Sequence, residues 1–307
     1  GYNALTAQNN DAANYNVAVG SSAGASVTTG TNNVLVGALS GDAITTGINN
    51  IAIGRGALSA EVAGDNSIAI GRNALLAQTN STNADIYNTA VGHAAGTAVT
   101  TGVNNTFLGG LTGDATTAAS NNVALGYNAL TTNVMGSHSV AVGVNALKDQ
   151  TFATASDFYN VAVGSDAGKS ITSGQFNPFI GGLSGDALAA ADNNTAVGYA
   201  SGGALTTGVD NVLIGALAGD ALTDADKNIA IGKGSLSADT LGSKSVAVGQ
   251  GSLNVQNFTT ATDSFNVAVG HQAGAAVTTG TLNTFVGGLA GDALTTGTDN
   301  VAVGYQA

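Results

Sequence analysis

The sequence lacks cysteine and tryptophan altogether and holds one proline, Pro178, and one methionine. Without cysteine, neither a disulfide framework nor a thiolate zinc site can form. Charge is scarce and one-sided: 7 basic against 19 acidic side chains among 307 residues, a net −12. That balance repels a phosphate backbone and argues against nucleic acid as a partner. Aromatics make up 5% of the chain, and no apolar run approaches the roughly 18 residues that a bilayer-crossing helix needs. What the chain has instead is small residues: 45 glycines, and a hydrophobic fraction of 44% carried mostly by Ala and Val. A disordered chain would be more charged and less apolar, so the composition implies a fold built without a conventional bulky core.

The organising feature is a repeat of Asn, an apolar triplet and Gly, as in Asn16-Val17-Ala18-Val19-Gly20. Its glycine returns at Gly37, Gly54, Gly71, Gly92 and onward to Gly304, giving 17 complete copies. The interval is 17 residues except at 71–92, 143–164 and 249–270, where it is 21, and at 1–20, where it is 19. Three short coils and one long coil make a 72-residue super-repeat, and the 106-residue interval from 164 to 270 holds two extra coils. A 17-residue period is too short for helical-hairpin repeats or propeller blades. It suits one coil of an all-β parallel β-solenoid, and about 18 coils would extend on the order of 80–85 Å. The whole chain, 1–307, is expected to form one continuous array. Because it opens on Gly1-Tyr2-Asn3-Ala4 and closes on Gly304-Tyr305-Gln306-Ala307, it is expected to be a segment of a longer protein.

With the marker glycine at position zero, positions −1 and −3 are mostly Val or Ile and share one strand face, while −2 points the other way. Position −2 is apolar in every complete copy, so the strand is expected to be buried on both faces. The bulkier ladder Val19, Val36, Ile53 and Ile70 is assigned to the interior. The opposite face, with Ala18, Leu35, Phe107, Phe179, Leu213 and Phe285, is assigned to contact with another subunit. Position −4 is Asn in 14 of 17 copies, and Asn16, Asn33, Asn50, Asn88, Asn105, Asn122 and Asn160 are expected to form an axial amide ladder. Ser67, Ser139 and Ser245 interrupt it in the coil before each long coil. The long-coil segments 76–87, 148–159 and 254–265 are the candidate ligand-contact loops, through Tyr87, Phe152, Tyr159 and Phe258.

Other motifs carry less. Gly20-Ser21-Ser22-Ala23-Gly24 fits the nucleophile-elbow pattern, but Ala94, Asp166 and Gln272 replace Ser22 in sister coils. His93 and His271 share position +1 ten coils apart, so one chain cannot bring them to one metal, and surface histidines are expected there and at His138. The Gly-Asp pairs, such as Gly41-Asp42 and Gly113-Asp114, recur at best every second coil, unlike the Asp-per-turn calcium β-rolls, and read as turns. No metal, cofactor or catalytic residue is assigned. The Thr pairs at 28–29 and 45–46 suggest an ice-binding ladder, which Ala60-Glu61-Val62 breaks.

The segments Asn66-Ser67-Ile68-Ala69-Ile70-Gly71, 138–143 and 244–249 resemble head repeats of YadA-like trimeric autotransporter adhesins. Asn104-Asn105-Thr106-Phe107-Leu108-Gly109 and Gly126-Tyr127-Asn128-Ala129-Leu130 resemble repeats of tail-fibre-type proteins. The resemblance covers the whole chain and implies a left-handed β-roll assembled as a homotrimer, outside the cell, on a bacterial surface or a virion tail fibre. Those adhesin heads have turns of about 14 residues, shorter than the coils here. The expected function is a non-enzymatic adhesin or fibre segment whose partners are its own copies and a host-surface glycan or receptor. The alternatives are a purely structural filament, an ice-binding solenoid and a glycan-cleaving tail fibre.

Overall fold

A computed structural model describes residues 1–9, 13–152 and 154–307, which form two compact units, Gly1–Phe158 and Tyr159–Ala307. Each unit is a parallel β-solenoid, and no helix occurs among the described residues. The first unit carries eight three-residue strands, from Val17–Val19 to Val140–Val142, and the second nine, from Val161–Val163 to Val301–Val303. The residues before Asn10 lie in turns without a strand. Successive strands pair in parallel with the repeat's own register, Val17 with Val34, Val34 with Ile51 and, across a long coil, Ile68 with Thr89. Each inserted segment adds a two-residue parallel pair beside the preceding coil: 64–65 with 84–85, 136–137 with 156–157, and 242–243 with 262–263.

The marker glycine is required by contact between coils. Gly20 has φ +141°, and a Cβ there would sit 2.5 Å from the carbonyl carbon and oxygen of Gly37. Only a residue without a side chain permits this conformation and this approach. Positions −5, +2 and +4 also turn through the left-handed region, as Asn32 (φ 59°), Leu39 (φ 58°) and Leu58 (φ 53°) show.

The interior is filled by position −2, which reverses the expected facing. Leu35, Phe107, Phe179 and Leu213 are fully buried within the single chain and Phe285 nearly so, while Ala18 at the first strand is half-buried. None of these residues presents an intersubunit face. The supposed interior ladder lies outside: Val19 is 57% exposed and Ile53 37%, with Val36 and Ile70 half-buried. The reason is volume. A 17-residue coil encloses a narrow lumen, and a large side chain fits at −2 only where position +4 gives way. A Cβ on Gly24 or Gly41 would meet Leu35 at 2.6 or 2.7 Å, and one on Gly113 would meet the Phe107 ring at 2.6 Å. Where position +4 is instead Leu, as at Leu58, Leu75, Leu130 and Leu147, position −2 is Ala. Bulk alternates between two inward columns, which keeps the lumen packed at near-constant volume.

The Asn column lines the same interior. The backbone N–H groups of Asn33 and Asn50 donate to Oδ1 of Asn16 and Asn33, at 2.8 and 2.9 Å. Each Nδ2 donates across the lumen to a carbonyl 14 residues on, Asn16 to Gly30 (2.7 Å) and Asn105 to Ala119 (2.9 Å). Asn88, Asn122 and Asn160 make the same cross-lumen bond to Gly102, Gly136 and Gly174. Each buried amide thereby links its own coil both to the next coil and to the opposite wall.

Candidate functional site

The outward strand face carries two parallel columns of apolar side chains. In the first unit Val17, Val19, Ile53, Val123 and Leu125 are exposed, and in the second Val163, Ile180, Ile214, Ile229, Val269, Val286, Val301 and Val303. The remaining residues of these columns are half-buried. In each unit these columns, interrupted at Thr89 and Thr106 in the first and at Thr195 and Thr284 in the second, give one face an extended apolar area of the kind that protein–protein interfaces use. Patches of that kind mark interaction surfaces rather than ordinary exposed hydrophobics.

The stripe is bordered on one side by position +1 and on the other by position −5. The +1 border of the first unit carries Arg55 and Arg72 in consecutive coils, both exposed, then His93. His93 Nδ1 lies 3.3 Å from the Arg72 carbonyl. The Tyr127, Tyr199 and Tyr305 rings lie beside the positions that Gly110, Gly182 and Gly288 would fill with a Cβ, at 3.6–3.9 Å. On the −5 border, Tyr159 and Phe176 stack at 5.8 Å between centroids, and Lys244 Nζ lies 5.1 Å from the centre of the Phe265 ring.

The long coils reach the −5 border through an aspartate. Asp157 Oδ1 pairs with His138 Nδ1 at 2.9 Å and Asp263 Oδ2 with Lys244 Nζ at 2.5 Å. Asp85 Oδ1 instead accepts from the neutral Asn66 amide at 2.5 Å. Asp85 also hydrogen-bonds the Tyr87 hydroxyl, and that bond, helped by its charge, raises the phenol above its ordinary pKa. Burial raises the Asp65 carboxyl, and nearby Asp85 and Glu61 add to the effect.

The loop residues singled out from sequence separate into two groups. Tyr87 and Tyr159 are exposed, at 55% and 50%. Phe152 packs edge-on against the buried Phe158 ring (4.9 Å), and Phe258 is itself buried. Both phenylalanines are drawn inward because the wider long coil has lumen to fill, so Phe258 is not a contact residue and Phe152 is one only in part.

Sequence reasoning missed the anchors beneath these loops. Glu61, Asn133 and Asp239 occupy position +7, where other coils place Val27, Ile44 or Leu222, and all three are fully buried. Glu61 Oε1 accepts from the N–H groups of Val62, Ala63, Gly64 and Asn80 at 2.7–3.2 Å. Its Oε2 accepts from Gln78 Nε2 and Asn80 Nδ2, each at 2.8 Å. Asp239 accepts from Gly242 N–H, Phe258 N–H and Gln256 Nε2. The visible signal was a polar residue in an otherwise largely apolar column, followed one coil later by Gln78, Gln150 or Gln256.

The remaining candidates are local. Ser22 lies at a left-handed corner (φ 55°) outside any strand-to-helix turn. Asp42 Oδ1 accepts from Ser59 Oγ at 2.6 Å, and Asp114 accepts from Thr131 Oγ1. The Thr28, Thr45, Thr100 and Thr117 hydroxyls donate to carbonyls of the next coil at 3.1–3.2 Å. Among the described residues no three or more His, Cys, Asp or Glu side chains gather where a metal could be held, and no helix is long and apolar enough to cross a membrane. No family model and no curated protein matches the chain.

Proposed function

We propose that the chain is a non-enzymatic segment of an extracellular fibre or adhesin that associates with copies of itself, three to an assembly, and presents its long-coil loops for surface attachment. The observation that carries this reading is the apolar stripe of Val and Ile at −3 and −1. Such a stripe is costly to leave in water at about 25 cal/mol per Å², and its fixed repeat matches another copy coil for coil. The resemblance of the repeats supplies the number three and the setting, a bacterial surface or virion tail fibre. Tyr87 and Tyr159, exposed beside the loops, are the contacts offered to a host-surface glycan or receptor. Light scattering on a size-exclusion column tests the reading. A mass three times that of the chain is expected, and a monomer would reject it. Ile180→Glu combined with Ile214→Glu should lower the mass while leaving the far-UV circular dichroism unchanged.

A further inference from the structure

We propose that the +1 column of the first unit, Arg55, Arg72, His93, Gly110 and Tyr127, binds an oligosaccharide that carries an acidic group at one end and lies along the coils. This rests on the surface-attachment reading above and adds to the loops a binding surface of stated chemistry. Backbone bonds hold the column in line: the N–H groups of Asn73, Ala94, Leu111 and Asn128 donate to the carbonyls of Arg55, Arg72, His93 and Gly110 at 2.9–3.2 Å. The four side chains, all exposed, thus stand in order over about 19 Å, at about 4.8 Å per coil. The column borders the stripe, and the polar rim of an interface stays open to water when its apolar centre is covered.

The arginines mark the charged end. The chain has only seven cations against 19 acidic side chains, yet its only two arginines are neighbours in adjacent coils. Like charges side by side in stacked coils repel. Neither arginine makes an ion pair among the described residues, where other cations take all four. An anion set between the two guanidiniums relieves that repulsion, and their planar forks suit a carboxylate or a sulfate. The rest of the column holds no fixed charge, and a net −12 repels a polyanion, so the ligand holds its acid at one end.

The tyrosine marks the ring end. Gly110 is not left-handed, and a Cβ there would meet nothing nearer than the Tyr127 ring at 3.6 Å, so the fold does not require glycine at this position. Yet all three +1 glycines, Gly110, Gly182 and Gly288, lie one coil before a tyrosine, Tyr127, Tyr199 and Tyr305. The missing side chain leaves a gap beside the Tyr127 ring, which is 54% exposed, and a pyranose can lay its apolar face there. His93 Nδ1 donates to the Arg72 carbonyl at 3.3 Å, which leaves Nε2 to meet a sugar hydroxyl from the other side of the gap. One coil rises by about 4.8 Å, close to the length of one pyranose in an extended chain, so successive sugars meet successive coils. The second unit repeats the order with a lone lysine, as Lys233, Gln250, His271, Gly288 and Tyr305, and should hold the same ligand more weakly.

The test applies the full chain to a printed panel of oligosaccharides bearing one uronic, sialic or sulfated residue, beside neutral counterparts of the same length. Binding to acidic members is expected, weakening as salt is raised. Arg55→Gln with Arg72→Gln should lower that affinity about tenfold or more, with the circular dichroism unchanged. Tyr127→Ala should lower it too, as should Gly110→Val, which fills the gap with the residue that Val144 already places at +1. Equal binding of acidic and neutral members, or full-strength binding by the arginine double variant, would overturn the site while leaving attachment through the loops standing. No binding to any member, by a chain that light scattering shows to be assembled, would overturn the site without touching the fibre reading. A monomer that binds the acidic members would keep the site and reject the fibre.

Discussion

Gln78 Nε2 donates to Ser67 Oγ at 3.0 Å, while the same side chain's Oε1 accepts from Asn88 Nδ2 at 2.9 Å. The long coil thus supplies the rung where serine interrupts the asparagine ladder. Gln256 does the same between Ser245 (2.8 Å) and Asn266 (2.8 Å), and Gln150 donates to Ser139 (3.0 Å). Asparagine at −4 spans one coil to the next. A four-residue insertion widens the coil, and the shorter serine leaves room for a longer amide arriving from position +7.

Replacing Gln78 with Leu should therefore leave Ser67 Oγ unpaired, leave Asn88 Nδ2 with its Gly102 bond alone and remove one donor from buried Glu61. Each buried polar group left unpaired costs about 1–3 kcal/mol. In a repeat fold that cost is felt by the affected coil and its neighbours. Hydrogen exchange should report loss of protection confined to residues 61–90, with distant coils unchanged. Uniform loss along the chain, or none, would contradict the ladder's role.

The pairing of bulk at −2 with glycine at +4 makes a second prediction. Gly113→Ala should destabilise by about 1–3 kcal/mol, because its Cβ would press on the Phe107 ring. Phe107→Ala alone should cost about 3–5 kcal/mol through the cavity it leaves. In the double variant the added methyl occupies space that the ring vacated, so the two costs should fall short of additive. Denaturant titration of the four proteins measures the coupling, and strict additivity would mean that the columns do not share a volume.

The period, the parallel register and the amide ladder were legible because each repeats at a fixed offset and has one physical explanation. The facing of the strand was not. Val and Ile at −1 and −3 are larger than Ala at −2, and burial normally follows size, but Ala69 and Ala90 sit inside because the lumen is narrow. The clue lay in a covariation rather than a residue type: Leu35 and Phe107 at −2 coincide with Gly41 and Gly113 at +4. The loop aromatics were misjudged for a related reason. Phe258 and Tyr87 both lie in long-coil segments but at different repeat positions, +9 and −5, and only the first turns into the widened lumen. Glu61 was visible as a break in the threonine pairs, yet three of its six hydrogen bonds exist only once Gln78 and Asn80 stack on the coil below them.

The adjacent residues Ala162 and Val163 separate the two faces experimentally. Ala162 is fully buried and Val163 is 37% exposed. Ala162→Glu forces a carboxylate into a lumen with no partner for it and should destabilise by more than about 4 kcal/mol, in the range reserved for severe core disruption. Val163→Glu should leave the fold intact and weaken assembly. Circular dichroism and light scattering on both variants check this, and the opposite result would restore the facing expected from residue size.

Acidity should stabilise the protein, contrary to the usual behaviour of a fold rich in carboxylates. Burial pushes the Asp239 carboxyl above its ordinary value of 3.8, against the lowering effect of hydrogen bonds from Gln256 and from backbone N–H groups. Asp65, Asp186 and Asp220 are likewise raised, with burial the largest cause for each. A carboxyl whose pKa is higher in the folded chain than in the unfolded one holds its proton longer when folded. Its contribution to stability is greatest below the unfolded value and is lost as pH rises through the folded one. The melting temperature should accordingly fall as pH is raised from 3.8 through the raised folded values, then level off once these groups are ionised. Relief of repulsion within a chain of net charge −12 acts in the same direction. Asp239→Asn, which installs the residue that Asn133 already provides in a sister coil, should flatten part of that slope. A melting temperature that rises with pH over this range would show that the hydrogen bonds to Asp239 outweigh the cost of burying its charge.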